Sequence, residues 1–176
     1  WDMSNDQQHA DYYAAWAGIG KDQQGNWERK PTMAENIGFF TSYQLNWMYW
    51  RYFMWNFAGR QNGDQGYYAW DPSAGNWISG IDALDNGKIG NQAELPEFMK
   101  NDQARNRYYL IPFFLGLIGL FFQYKRRPRD FAAIMALFII TGIGITVYSN
   151  QPPNEPRERD YVLVGSIFTF AIWIGL

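Results

Sequence analysis

The sequence predicts an all-α membrane protein: transmembrane helices, an aromatic interfacial or buried helix, and a loop-rich exported segment. Three observations lead there. Three long apolar runs follow residue 107, each broken from the next by a short charged cluster. Aromatic residues make up 19% of the chain, with nine Trp, twelve Tyr and thirteen Phe. Trp and Tyr suit a membrane–water boundary, where the ring and its polar edge are both satisfied. Charge is also sorted along the chain. Residues 1–108 hold 13 of the 17 acidic and 9 of the 15 basic residues, so whole-chain averages mix two unlike halves.

Residues 1–30 form an exported polar segment. A short helix is expected over His9–Ala17, after which Gly18, Gly20 and Gly25 favour loop. Residues 31–59 form the aromatic helix. Thr32 and Glu35 make a T-x-x-E capping box behind Pro31, and Gly59 stands where a left-handed C-cap is wanted. Phe40, Tyr43, Trp47, Trp50, Met54 and Phe57 form a stripe at three- and four-residue steps. The other faces carry Phe39, Tyr49, Phe53 and Trp55. A helix apolar nearly all round is buried in protein or lipid.

Residues 60–107 are rich in Gly, Asn and Asp and read as an exported loop, with a short helix at Ala93–Lys100. Three transmembrane helices then follow, over about 108–124, 131–148 and 161–176. The first two nearly meet the length that a span requires, about 20 residues. Burying three such runs in a soluble core is hard within so short a stretch. Gly116, Gly119, Gly142 and Gly144 would let neighbouring helices approach closely. Lys125, Arg126, Arg127 and Arg129 crowd the turn 125–130, which the positive-inside rule makes cytoplasmic. Residues 1–107 and the loop 149–160 then share the exported face. The chain opens at Trp1 and stops at Leu176 inside an apolar run, which reads as a fragment of a longer protein.

Two segments carry candidate chemistry. The loop NQPPNEPRERD, stiffened by three prolines, ends with Arg157, Glu158, Arg159 and Asp160 at a helix mouth. Arginines there suit bidentate grip on a lipid phosphate, with a carboxylate to orient them. A solvated loop of self-neutralising charges is the plainer reading. The second segment runs from Arg51 through Arg60 to Asn62. An arginine inside an aromatic helix needs a partner, and Glu158 or Asp160 would supply it across the exported face. Snorkelling to the interface is the alternative.

Other chemistries are excluded or weak. The absence of cysteine removes disulfides and thiolate sites, and the one histidine, His9, allows no histidine cluster. DALDNGKIGN, from Asp82, departs from a calcium loop at Leu84 and Ala93, so no metal site is expected. No net basic patch points to nucleic acid.

PTMAENIGFFTSYQLNWMYWRYFMWNFAGRQN, GNWISGID, ARNRYYLIPFFLGLIGLFFQ and NEPRERDYVLVGSIFTFAIWIGL together resemble a large bacterial family of polytopic membrane proteins, long labelled a domain of unknown function. That family is similar to the protein O-mannosyltransferases of the GT-C class of glycosyltransferases. The resemblance spans roughly Pro31–Leu176. It implies an inner-membrane protein that uses a polyprenyl-phosphate sugar donor. It also implies a catalytic acid in a first exported loop, upstream of this fragment, so catalytic residues are not assigned here. Arg51, Arg60, Arg157, Glu158, Arg159 and Asp160 are the candidates for lipid-phosphate or acceptor binding. Membrane lipid is the expected partner, with other subunits if the protein is instead a non-enzymatic member of a membrane complex.

Overall fold

A computed structural model describes residues 7–64, 66, 71–151 and 160–176, and these are mostly helical. Helix α1 (Gln7–Ala17) packs beside α2 (Met33–Phe39). Its Tyr13 and Trp16 meet Phe39 edge-on at 5.0 and 5.2 Å, and the Tyr13 hydroxyl donates to Asn36 Oδ1 at 2.6 Å.

The aromatic helix starts where the capping box says it should. Glu35 N–H donates to Thr32 Oγ1 at 3.3 Å, and Thr32 N–H donates back to the Glu35 carboxylate at 2.7 Å. The helix then changes winding without a break. It is α-helical over Met33–Phe39, π-helical over Phe40–Trp50, and α-helical again in α3 (Arg51–Phe57). Hydrogen bonds spaced at five residues widen the turn, so the expected stripe drifts. Tyr43, Trp47, Met54 and Phe57 are buried, whereas Trp50 emerges at the surface.

Gly59 does not cap this helix. It opens strand β1 (Gly59–Arg60), which pairs antiparallel with β2 (Asn106–Arg107). Its φ of 151° and the Asn106 carbonyl packed against its Cα leave no room for a side chain. This two-residue ribbon returns the chain to the end of α3, where Tyr108 N–H donates to the Ala58 carbonyl at 2.8 Å.

The segment between the strands departs from a simple loop. Helix α4 (Asp82–Ile89) occupies the segment whose sequence departs from a calcium loop. Its Asp85 carboxylate accepts from Ser79 N and Oγ and from Gly80 N, at 2.7–2.9 Å, and so fastens the turn entering the helix. The helix expected at Ala93–Lys100 is instead a 3₁₀ turn (Gln92–Glu94) and a single-turn α5 (Glu97–Lys100). Pro96 divides them, since it lacks an N–H and keeps Leu95 extended.

Four helical pieces complete the chain: α6 (Ile111–Arg126), α7 (Pro128–Ile139), α8 (Ile145–Ser149) and α9 (Asp160–Ile174). A π turn, Ile140–Gly144, joins α7 to α8 in one 22-residue run. The expected turn 125–130 shrinks to Arg127, with Pro128 opening α7. Of the three expected spans, only Pro128–Ser149 is long and apolar enough to cross a membrane by length and composition. Helices α6 and α9 have 16 and 15 residues.

Aromatic rings bind this layer to the aromatic helix. Phe170 lies 4.9 Å from Phe53 and 4.6 Å from Phe57, and Trp173 lies 5.7 Å from Phe138. The expected glycine contacts form at three of four positions. Gly116 faces Phe170, Gly119 faces the Trp173 backbone and Gly142 faces Tyr49, while Gly144 meets nothing close. Trp173 Nε1 donates to Gln123 Oε1 at 2.7 Å, which satisfies both groups inside the layer. The outer faces remain apolar and open. Ile118, Phe121, Ile140, Val164 and Phe168 are each at least 58% exposed.

Candidate functional site

Arg51 anchors a buried polar network beneath the loop-rich segment. It is only 3% exposed, so it does not snorkel. Its Nε donates to the Trp47 carbonyl at 2.9 Å and its Nη1 donates to the Gly75 carbonyl at 2.7 Å. Its guanidinium lies 4.3 Å from the Trp47 ring centre and 4.6 Å from that of Trp55. Of the two carboxylates expected to pair with it, Glu158 lies outside the described residues, as do Arg157 and Arg159, and Asp160 is placed only as the first residue of α9.

The structure does bring Arg51 and Arg60 together. The Arg60 guanidinium sits 4.2 Å from the same Trp55 ring, and Arg60 Nη2 donates to the Gly63 carbonyl at 3.5 Å. Arg60 Nε and Trp55 Nε1 are buried without a hydrogen-bond partner.

Side-chain amides press the loop onto Arg51. Gln61 Nε2 donates to the Pro72 carbonyl and Asn62 Nδ2 to the Ser73 carbonyl, both at 2.8 Å. In return, Gly75 N–H donates to Asn62 Oδ1 at 2.9 Å and Asn76 N–H to Gln61 Oε1 at 3.1 Å. Trp47 Nε1 donates to the Gly66 carbonyl at 3.1 Å. Gln61, Asn62 and Asn76 are buried at 3% exposure, each with partners, as buried polar groups require. Glycine is needed at Gly75, where φ is +65° and the Gly66 backbone lies where a Cβ would go.

A cavity of about 270 Å³ opens between this loop, α4 and the aromatic helix. Trp50 and Trp77 line it beside Trp47, and Asn46, Asn76 and Asp71 supply polar edges. Arg51 and Lys88 bring positive charge. The Lys88 ammonium lies 3.7 Å from the Trp77 ring centre and donates to the Trp77 carbonyl at 2.9 Å. Lys88 is exposed as a residue, yet its ammonium lies against the indole. Loss of water pushes its pKa down to about 7, opposed by Asp85 and reinforced by Arg51. Hydrogen bonds from the Ser73 hydroxyl and N–H hold Asp71 below the usual carboxylate range.

Two aromatic walls and alternating donors and acceptors suit a single polar ring. Among the described residues no group of three or more metal-ligating side chains comes together. Of the cavity's lining, the sequence marks Arg51 as a candidate, and Trp47 and Trp50 only as part of the aromatic stripe, while Arg60 lies outside the lining and Asp71, Asn76, Trp77 and Lys88 are not singled out. One signal was available for Lys88. Asp82 and Asp85 in a first turn, Lys88 in a last turn and Gly90 beyond it together mark a helix.

The chain matches no protein-family model, and neither a curated protein nor a solved structure is detectably similar to it.

Proposed function

We propose that the chain is part of an integral membrane glycosyltransferase-like protein, transferring sugar from a polyprenyl-phosphate donor to an exported acceptor. The observation that carries this reading is the tryptophan- and amide-lined cavity, built for one hydroxyl-bearing ring. The open apolar faces of α6, α7 and α9 support a lipid-embedded layer, because a soluble monomer rarely exposes so much contiguous apolar surface. The basic cluster from Lys125 to Arg129 supports a cytoplasmic turn in a bacterial inner membrane. The loop-rich segment with its cavity then faces the exported side. The resemblance to GT-C proteins supports the reaction class and leaves the catalytic acid outside this chain.

In this reading Arg51 braces the cavity wall through its bonds to the Trp47 and Gly75 carbonyls. Arg157 and Arg159 keep their proposed lipid-phosphate role. The full-length protein is expected to turn over a polyprenyl-phosphate sugar. Trp50→Ala should lower that turnover by up to about tenfold, the scale of losing one well-formed ring contact. Full turnover in Trp50→Ala would remove the cavity from the reaction. A second reading, an accessory subunit of a membrane complex, draws on the same exposed apolar faces. Fixed-stoichiometry co-purification with a larger assembly, without turnover, would favour it.

A further inference from the structure

Resting on the reading of the helical layer as lipid-embedded, we propose that the α6–α7 turn is a docking surface for anionic phospholipid. Its basic cluster meets the head groups, and the exposed rings beside it meet the acyl chains. Lys125, Arg126, Arg127 and Arg129 stand against Asp130 alone in the segment 125–130, so four positive charges and one negative leave a net +3. Asp130 is the ion-pair partner of Arg127, at 3.7 Å. Among the described residues no carboxylate lies within ion-pair distance of Lys125, Arg126 or Arg129.

The two cations that end α6 lean back along the helix, as helical side chains do. The Lys125 ammonium lies 5.5 Å from the Phe121 ring centre, and the Arg126 guanidinium lies 5.4 Å from that of Phe122. Both rings are exposed. Charge and apolar surface are therefore adjacent on one strip of α6. A cation over a lipid-facing ring sits at the depth of the head groups and gains from a counter-charge there. An anionic phospholipid supplies that charge through its phosphate and covers the rings with its chains. Arg129 extends the strip onto α7, where Ala132 and Ala133 are exposed on the next turn.

The opposite end of the layer lacks this pairing. Tyr108, Tyr109 and Tyr148 are exposed there and neutral. Arg107 faces Asp82 at 3.8 Å, and the segment 149–160 sets two arginines against three carboxylates. Tyrosine suits a head group of either charge, so selection for anionic lipid belongs to the turn.

Single cysteines in the full, cysteine-free chain test this. Ala133→Cys lies one turn beyond Arg129, and Val147→Cys lies near the other end of the same 22-residue run; both positions are exposed. Each is labelled with bimane, reconstituted in phosphatidylcholine vesicles and quenched by dibrominated phosphatidylglycerol or dibrominated phosphatidylcholine. At Ala133→Cys in low salt, phosphatidylglycerol should bind about fivefold tighter than phosphatidylcholine, the contribution of one interfacial cation. High salt should shrink that preference. The combined change Lys125→Gln, Arg126→Gln and Arg129→Gln, checked for unchanged thermal unfolding, should abolish it. Arg126→Lys with Arg129→Lys should keep it, and Val147→Cys should show none. Equal quenching by the two lipids at Ala133→Cys would overturn the head-group inference and leave the lipid-embedded layer standing. A preference that survives the triple glutamine change, or that is as large at Val147→Cys, would overturn the role of the turn. Absence of quenching by either lipid at both positions would overturn the lipid-embedded reading itself.

Discussion

The helical layer and the loop-built cap are held by opposite means. In the layer, rings and close-packed glycines seat α9 against α6, α7 and α3, and Trp173 and Gln123 form an internal polar pair. In the cap, buried amides and one guanidinium fasten the backbone at Pro72, Ser73, Gly75 and Asn76. Dispersion and close contact operate in lipid as well as in water. An amide network acts by satisfying backbone groups that have left water. The cavity lies in the half built from polar contacts.

The largest effect should follow damage to the layer. Trp173→Ala removes a fully buried ring and leaves Gln123 without its donor. A loss of about 3–5 kcal/mol is expected, read as a lowered unfolding midpoint in detergent or nanodiscs. A small change would show that the ring cluster does not hold α9. Arg51→Met comes next. It keeps a stem of similar shape but strips the Trp47 and Gly75 carbonyls of their donor. A cost of about 2–4 kcal/mol is expected, confined to the cap. Limited proteolysis should then cut within residues 71–77 while the helical layer stays protected. Asn62→Ala should loosen the same loop by about 1–3 kcal/mol, since both Gly75 N–H and the Ser73 carbonyl lose a partner.

The smallest effect is a pH dependence at the start of the aromatic helix. Arg29, and then the Thr32 N–H, hold the Glu35 carboxyl down from 4.5 to about 2. A carboxyl lowered in the folded state stabilises it above its ordinary range. That contribution fades as pH falls from about 4.5 towards 2. Amide exchange at residues 33–37 should quicken over that window, and Glu35→Gln should remove the pH dependence. Unchanged exchange between pH 5 and pH 2 would contradict the capping account.

Much of the layer was legible in the sequence because apolar runs and caps are local signals. Thr32 and Glu35 located a helix start, and Gly116, Gly119 and Gly142 located close contacts. Span lengths were less legible. Where α6 and α9 end depends on neighbours, and the π turns at Phe40–Trp50 and Ile140–Gly144 leave no compositional mark. The cap was legible only in part. Arg51 stood out as a charge among rings, but its partners, the Trp47 and Gly75 carbonyls, are backbone atoms that any sequence carries. Lys88 reaches the cavity only because Asp85 closes the turn before α4, a contact between Gly-rich residues that reads as loop.

The central claim is that the layer lies in lipid and the cap outside it, on the face opposite the basic turn. The chain has no cysteine, so single cysteines report position directly. Leu84→Cys marks the cap, Arg129→Cys the turn and Ile118→Cys the apolar face of α6. In intact bacterial cells a membrane-impermeant maleimide should label the cap position at once. It should reach the turn only after permeabilisation, and it should not reach Ile118→Cys in either case. Labelling of Ile118→Cys as readily as Leu84→Cys, or of cap and turn from the same side, would contradict the account.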